Sequence, residues 1–466
     1  MTIWSGRFDT LPDPVAFDFG ASFGFDRRLF EDDVTGSIAW AEALGAAGVL
    51  LKEETAAITD GLKQILDEGR KNPSFISGND EDIHSFVERE LIARIGDAGR
   101  RLHTGRSRNE QVSLDLRLYL KRRIPVLQKA VASVVKACVN QATSAREVLM
   151  PAYTHLRRAQ PVLVAHFFLG HVTALRRDYA RLAMSADEAD ELTLGSGAVA
   201  GTSYPIDTVA LAARLGFKRV VSNSLEASSE RDFVASFLYA VALTMIHLSR
   251  LAEDVIIFTG EEHRFFELSD ASATGSSMMP QKKNPDPLEL VRGKSGRALG
   301  RLTGWLATMK GLPSGYNKDL QEDKEAIFDA EATLLSSLTA TGIVISSLRL
   351  NEARSEQAAS GLLLATDVAD YLVAKGMPFR QAHEVVGAMV RQLISRGQDF
   401  SDLTFSEWQE ASEMFDEDVP KAITAKASVL ARCTPQSTNP QAVQKALDQC
   451  IAWLVEITER PDSGTV

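Results

Sequence analysis

LDLRLYLKRRIPVLQKAVASVVKACVNQATSAREV, residues 114–148, decides the fold. Leu116, Leu120, Ile124, Leu127, Val131, Val134 and Cys138 recur in it at spacings of three and four, the period that lines one face of an α-helix. The spacing predicts a helix from about Leu114 to Val148, bent near its first third by Pro125. Asp232 to Thr259 and Asp323 to Leu348 read the same way. All three far exceed the ~12 residues of an average helix. Helices of that length bury their stripes only against one another, so the middle of the chain is expected to be an elongated bundle.

Working outward, residues 1–108 hold shorter helical segments broken by loops such as NPSFISGNDED. Residues 360–466 are again shorter helices, closing on a polar tail, RPDSGTV, expected to be disordered. Strand-like alternation is scarce. The fold class is therefore all-α: three mainly helical domains, 1–108, 109–359 and 360–466, with the longest helices in the middle one.

Phe233 to Ser249 has no Asp, Glu, Lys or Arg, and its length is near the ~17 residues that cross a bilayer. Ser236, Thr244, His247 and Ser249 interrupt it, and Arg231, Asp232, Arg250, Glu253 and Asp254 close it off. It reads as a helix buried in a bundle, not as a membrane span. Phe233, Phe237, Tyr239, Val241, Leu243, Ile246 and Leu248 cover much of its circumference, which predicts oligomerisation through the central bundle.

The bulk numbers exclude several classes. The chain has 466 residues, 45% hydrophobic and 24% charged, as a large soluble protein would. Its net charge is −11 and no basic stripe is visible, which argues against nucleic-acid binding. Cys138, Cys433 and Cys450 are an odd, widely spaced set without CxxC, which argues against a disulfide framework and a zinc ribbon and fits a reducing cytoplasm. MTIWSGRFDT lacks the pattern of a signal peptide. HExxH and clustered carboxylate–histidine sets are missing, so neither metal nor cofactor is expected.

Polar segments stand apart from the helical pattern. GSSMMPQKKNPD, Gly275 to Asp286, joins a Gly, two hydroxyls, two lysines and an Asn-Pro turn. That composition suits a site that binds carboxylates and moves a proton, and equally a solvated surface loop. HTGRSRNEQ, His103 to Gln111, offers Arg106, Ser107, Arg108 and Asn109; two guanidiniums and an amide suit bidentate carboxylate recognition. YTHLRRAQP, Tyr153 to Pro161, places His155 beside Thr154 between two long helices, and an imidazole titrates near neutral pH. LGSGAVAGTSYP, Leu194 to Pro205, is Gly-rich but follows no strand, so it reads as a tight interhelical connection and not a dinucleotide site. GYNKDLQEDKE, Gly315 to Glu325, gathers Tyr316, Lys318, Gln321 and Lys324 near a helix start. A serine-hydrolase reading of Ser276 and Lys282 fails, because the pair is not at SxxK spacing and no GxSxG elbow surrounds Ser276.

GSSMMPQKKNP resembles the signature of the fumarase/aspartase superfamily, and with HTGRSRN, THLRRAQP, SERDFV (Ser229 to Val234) and YNKDLQEDKE the chain is similar to the argininosuccinate lyase branch of it. The resemblance runs from WSGRF at Trp4 to LLATDVADYLV near Leu364. It implies four protomers whose central helices form one bundle, with each active site shared among three of them. It implies reversible cleavage of argininosuccinate to arginine and fumarate. Carried over motif by motif, it makes Ser276 and His155 the acid–base pair, with Ser276 the base and the direction of transfer open. Lys282 becomes the cation that stabilises alkoxide or carbanion, and Glu289 the partner that orients His155. It gives Ser22, Asn109, Thr154, Asn284, Tyr316, Gln321 and Lys324 to the substrate, helped by Ser107, Arg106 and Arg108 at the succinyl carboxylates. It names no acid for the guanidinium. Arg157 departs from the pattern, which has Gln there. Other lyases of the superfamily (adenylosuccinate lyase, fumarase, aspartase) and an inactive crystallin-like structural protein are the alternatives.

Overall fold

The computed structural model describes residues 13–459; the MTIWSGRFDT opening and the RPDSGTV tail lie outside the described residues. Three helices, α1 (Phe30–Ala46), α2 (Lys52–Lys71) and α3 (Ile83–Ile95), form the N-terminal part. Next comes α4 (Arg108–Ser144), 37 residues long and uninterrupted at Pro125. Leu116, Leu120, Ile124, Leu127, Val131, Val134 and Cys138 are all completely buried along it. The helix starts earlier than its apolar stripe because Ser107 caps it: the Ser107 hydroxyl accepts from the Asn109 N–H, and the Glu110 carboxylate reaches back to the Ser107 N–H. This reciprocal box satisfies amides that a helix start otherwise leaves open.

A hairpin follows, β1 (Leu149–Thr154) against β2 (Arg157–Leu163), antiparallel, with Thr154 opposite Arg157. Four more long helices complete the bundle: α5 (Val164–Glu188), α6 (Asp232–Thr259), α7 (Asp286–Met309) and α8 (Glu322–Ser347). Helix α4 packs on α5 and α8, and α6 on α5, α7 and α8. Helices α6 and α8 are apolar enough to cross a membrane by length and composition. Here Phe233, Phe237, Val241, Leu248, Ile327 and Leu334 are buried in the bundle instead. Within α6, His247 Nδ1 lies 2.7 Å from Asp178 of α5.

Helix α7 was not anticipated from periodicity. Gly293, Gly296, Gly300 and Gly304 fall inside it, and each weakens a helix by about 1 kcal/mol relative to Ala. A Cβ at any of these four would meet nothing within 4 Å, and Leu290, Leu299 and Leu306 on the same helix are exposed. One face of α7 thus has no cover from the described residues of the protomer.

Beyond α8 lie α9 (Ala365–Ala374), α10 (Phe379–Arg396) and shorter turns, then α11 (Pro440–Glu459). Residues from Leu364 to Ile423 build a separate apolar cluster around Val368, Leu372, Trp408 and Phe415. Helix α11 returns to pack on α4 and α5, placing Val443, Leu447 and Cys450 in the main core.

Candidate active site

The candidate residues fall into three groups within one protomer. The first lies where the N-terminal part meets the start of α8. Ser22 is buried, and its hydroxyl donates to Asp26 Oδ2 at 2.5 Å. Asp26 Oδ1 accepts the Ile83 N–H at 3.0 Å, at the N-terminus of α3. The Arg108 guanidinium lies 3.5 Å from Asp82, and its two terminal nitrogens are buried without a hydrogen bond. Lys324 is fully buried, donates to Gln321 Oε1 at 2.6 Å and pairs with Asp323 at 3.0 Å. Arg231 holds the other Asp323 oxygen at 2.9 Å. Burial, then the Asp323 charge, pushes the Tyr316 hydroxyl up to about 12, so Tyr316 is a neutral donor. Burial also pushes the Asp26 carboxyl up to about 7, against the pull of Ser22 and of Lys324. Ser22, Arg108, Tyr316, Gln321 and Lys324 are therefore brought together, with Asn109 next along α4.

Two expected ligands of this group are used internally. Ser107 spends its hydroxyl on the α4 cap. Arg106, expected at the substrate carboxylates, is turned inward: it is buried and donates to Ser37 at 3.1 Å. Beside it lie Asp33, His84 and Asp115, whose ligand atoms fall within 4.8 Å of one another. Burial first, then the Asp33 charge, holds the Asp115 carboxyl well above the usual range. This carboxylate–histidine set, which the sequence does not reveal, lies against the buried Arg106 cation.

The Gly-rich run at 194–205, expected to follow no strand, comes just after a two-residue strand, Glu191–Leu192, paired in parallel with Arg219–Val220, and it closes over the α4 start. Gly197 N–H donates to Glu110 Oε2 at 2.9 Å, and a Cβ on Gly105 would strike the Tyr204 ring at 2.4 Å. Burial pushes the Glu110 carboxyl up to about 7. A carboxyl whose pKa is higher folded than unfolded adds stability that is complete below the unfolded value, near 4, and is lost as pH rises through about 7. The melting temperature should therefore fall as pH rises from about 4.5 to about 7 and level off above that. Glu110→Gln, which keeps the capping geometry, should flatten that slope in a thermal-shift series; an unchanged slope would assign it elsewhere.

The second group sits on the tip of the β1–β2 hairpin. His155 and Leu156 are exposed and have φ of 53° and 56°, as the two central residues of a type I′ turn require. Neither is Gly or Asn, so each carries of order 1–3 kcal/mol of strain. Segments from both ends of the Leu364–Ile423 cluster flank the hairpin, and Thr438 Oγ1 accepts the Leu163 N–H at 2.8 Å. Arg157, the departure from the expected Gln, is exposed on the first position of β2.

The third group is the loop between two short strands, β3 (Thr274–Gly275) and β4 (Lys283–Asn284). Ser276 Oγ accepts the N–H groups of Met278 at 3.3 Å and Met279 at 3.0 Å. Two amide dipoles aimed at one oxygen favour negative charge there. Lys282 is exposed, and none of the described ion pairs involves it. Asn284 is half-buried, and Glu289 is exposed on the first turn of α7. No described hydrogen bond or ion pair joins His155 to Glu289, or either to the first group, within one protomer. Two grooves, of about 610 and 540 Å³, lie elsewhere, between α4 and α8.

Sequence reasoning missed Asp26, Asp82, Arg231 and Asp323. Asp82 closes the polar loop NPSFISGNDED and Arg231 stands within SERDFV, but neither segment reveals that its charge faces the group at Lys324.

The class of this all-α bundle follows from a family comparison: a model described simply as Lyase matches residues 6–300, and the chain belongs to that family. A second model, argininosuccinate lyase C-terminal, matches residues 362–430, and the chain belongs to the argininosuccinate lyases. The argininosuccinate lyase of Moorella thermoacetica is 48% identical over 450 residues, covering 96% of this chain and 97% of that one. That of Desulforudis audaxviator is 46% identical over 446 residues, with 96% and 97% covered. Among solved structures, an EDDS lyase in complex with formate aligns with a TM-score of 0.83 at 27% identity, over 97% of this chain and 93% of that one.

Proposed function

We propose that the chain cleaves argininosuccinate reversibly to arginine and fumarate, by β-elimination at the residues placed above. The observation that carries this is the joint match of the lyase model and the argininosuccinate lyase C-terminal model on one chain. Purified protein offered argininosuccinate, adenylosuccinate, malate and aspartate should release fumarate, read by ultraviolet absorbance, from the first alone. Fumarate from another substrate, or from none, would reject the assignment.

The chemistry needs a base for the carbon-bound proton beside a carboxylate, a cation for the carbanion, and an acid for the departing guanidine nitrogen. Ser276 takes the proton. Its oxygen is supported as an anion by the Met278 and Met279 amides and by Lys282. The electron pair moves onto the adjacent carboxylate, which Lys282 and Asn284 hold. His155 then protonates the nitrogen as the C–N bond breaks, oriented by Glu289 of another protomer. Arg108, with its unbonded terminal nitrogens, and Asn109, Tyr316, Gln321 and Lys324 hold the rest of the substrate.

Assembly as a homotetramer with shared sites is the arrangement we infer. It is supported by the uncovered face of α7 and by the separation of the three groups. Mixing two inactive variants, His155→Asn and Ser276→Ala, by denaturation and refolding should therefore restore activity, since some hybrid sites draw both residues from intact chains. A mixture as inactive as its parents would show that one protomer supplies both. A division near residues 108 and 359 is supported at its second boundary by the separate Leu364–Ile423 cluster. The unpaired Cys138, Cys433 and Cys450 fit a cytoplasmic setting.

A further inference from the structure

Residues 282 and 283 are both lysine. Successive residues of a strand face opposite sides, so a slip of one residue would exchange which lysine faces the Ser276 side of the loop. The ladder that must prevent the slip is minimal: Thr274 pairs with Asn284 and Gly275 with Lys283. Gly275 has no side chain, and neither strand carries an apolar residue whose burial would fix the register.

Two side-chain contacts do so instead. Thr274 Oγ1 donates to Asp286 Oδ2 at 2.5 Å, across the base of the loop. Lys283 Nζ lies 2.8 Å from Asp270 and 3.7 Å from Glu267. Glu267 is itself opposite Arg349 in another short ladder, which leaves Asp270 as the main partner of Lys283. Lys282, one residue away, has no partner among the described ion pairs.

We propose that the Asp270–Lys283 ion pair is a register pin. It commits Lys283 to the outer side of the ladder and so presents Asn284 on the opposite side, with Lys282 held out of the ladder in the turn that leads into it. Lys283 is a positioning residue and touches no reacting atom. The inference rests on the reading of this loop as catalytic.

The pair is exposed, so it contributes little to overall stability, and its effect belongs in turnover. Lys283→Met and Asp270→Asn should each lower kcat about two- to fivefold, the range an exposed pair can supply, with KM and melting temperature unchanged. The charge swap Asp270→Lys with Lys283→Asp should recover most of the loss, and Lys283→Arg should lose little. Parental turnover in both single variants, or a swap no better than the singles, overturns the pin. Lys282→Ala run alongside separates the two ideas. Full activity there overturns the catalytic reading and the pin with it, whereas its loss beside a fully active Lys283→Met removes the pin alone.

Discussion

Ser276→Ala should lower kcat for argininosuccinate at least about a hundredfold while leaving KM within a small factor. A serine hydroxyl is too weak an acid to ionise unaided at neutral pH. The two amides converging on Ser276 Oγ supply the stabilisation the alkoxide needs. Alanine removes the oxygen and leaves the amides to water, which they can reach because the loop is largely exposed. The circular dichroism spectrum and melting temperature should therefore match the parent, and rapid fumarate release by the variant would reject Ser276 as the base. His155→Asn should likewise lower turnover; a change confined to KM would instead make His155 a binding residue.

Asp323→Ala should cost about 3–5 kcal/mol of stability, because it leaves buried cations without their counter-charge. Arg231, Asp323 and Lys324 are all essentially inaccessible, and Asp323 bridges the other two. Losing it strands two positive charges where hydration cannot replace it. Chemical or thermal unfolding would read this directly. A variant as stable as the parent would mean that water or the chain's own rearrangement reaches the cluster. Substrate binding should weaken in the same variant, since Lys324 loses what fixes it beside Gln321.

The bundle was legible because its stripe is long: seven apolar positions at helical spacing in α4 leave few other solutions, and all seven are buried. Helix α7 was not, because its four glycines dilute the signal that propensity and periodicity provide. The hairpin hid for a different reason. Pro151 and Pro161 face each other across it, and proline argues against a strand. At the site, motifs revealed which residues matter but not which way they point. Arg106 and Arg108 are two residues apart and look interchangeable in HTGRSRN, yet one faces the Asp33 and Asp115 cluster and the other faces Asp82. Only the packing of α1, α3 and α4 around that cluster separates them.

The bond from the Leu163 N–H to Thr438 spans 275 residues of sequence. A ribosome adding about 5–20 residues per second needs roughly 15–55 s to make that stretch. The hairpin carrying His155 thus waits, through most of the chain's synthesis, for the residue that seats the far end of β2. A nascent chain stalled before Thr438 can already hold the α4–α8 bundle while its proton-transfer hairpin remains unanchored. Seating of this end of the hairpin therefore follows synthesis of Thr438, after all the bundle helices have been made.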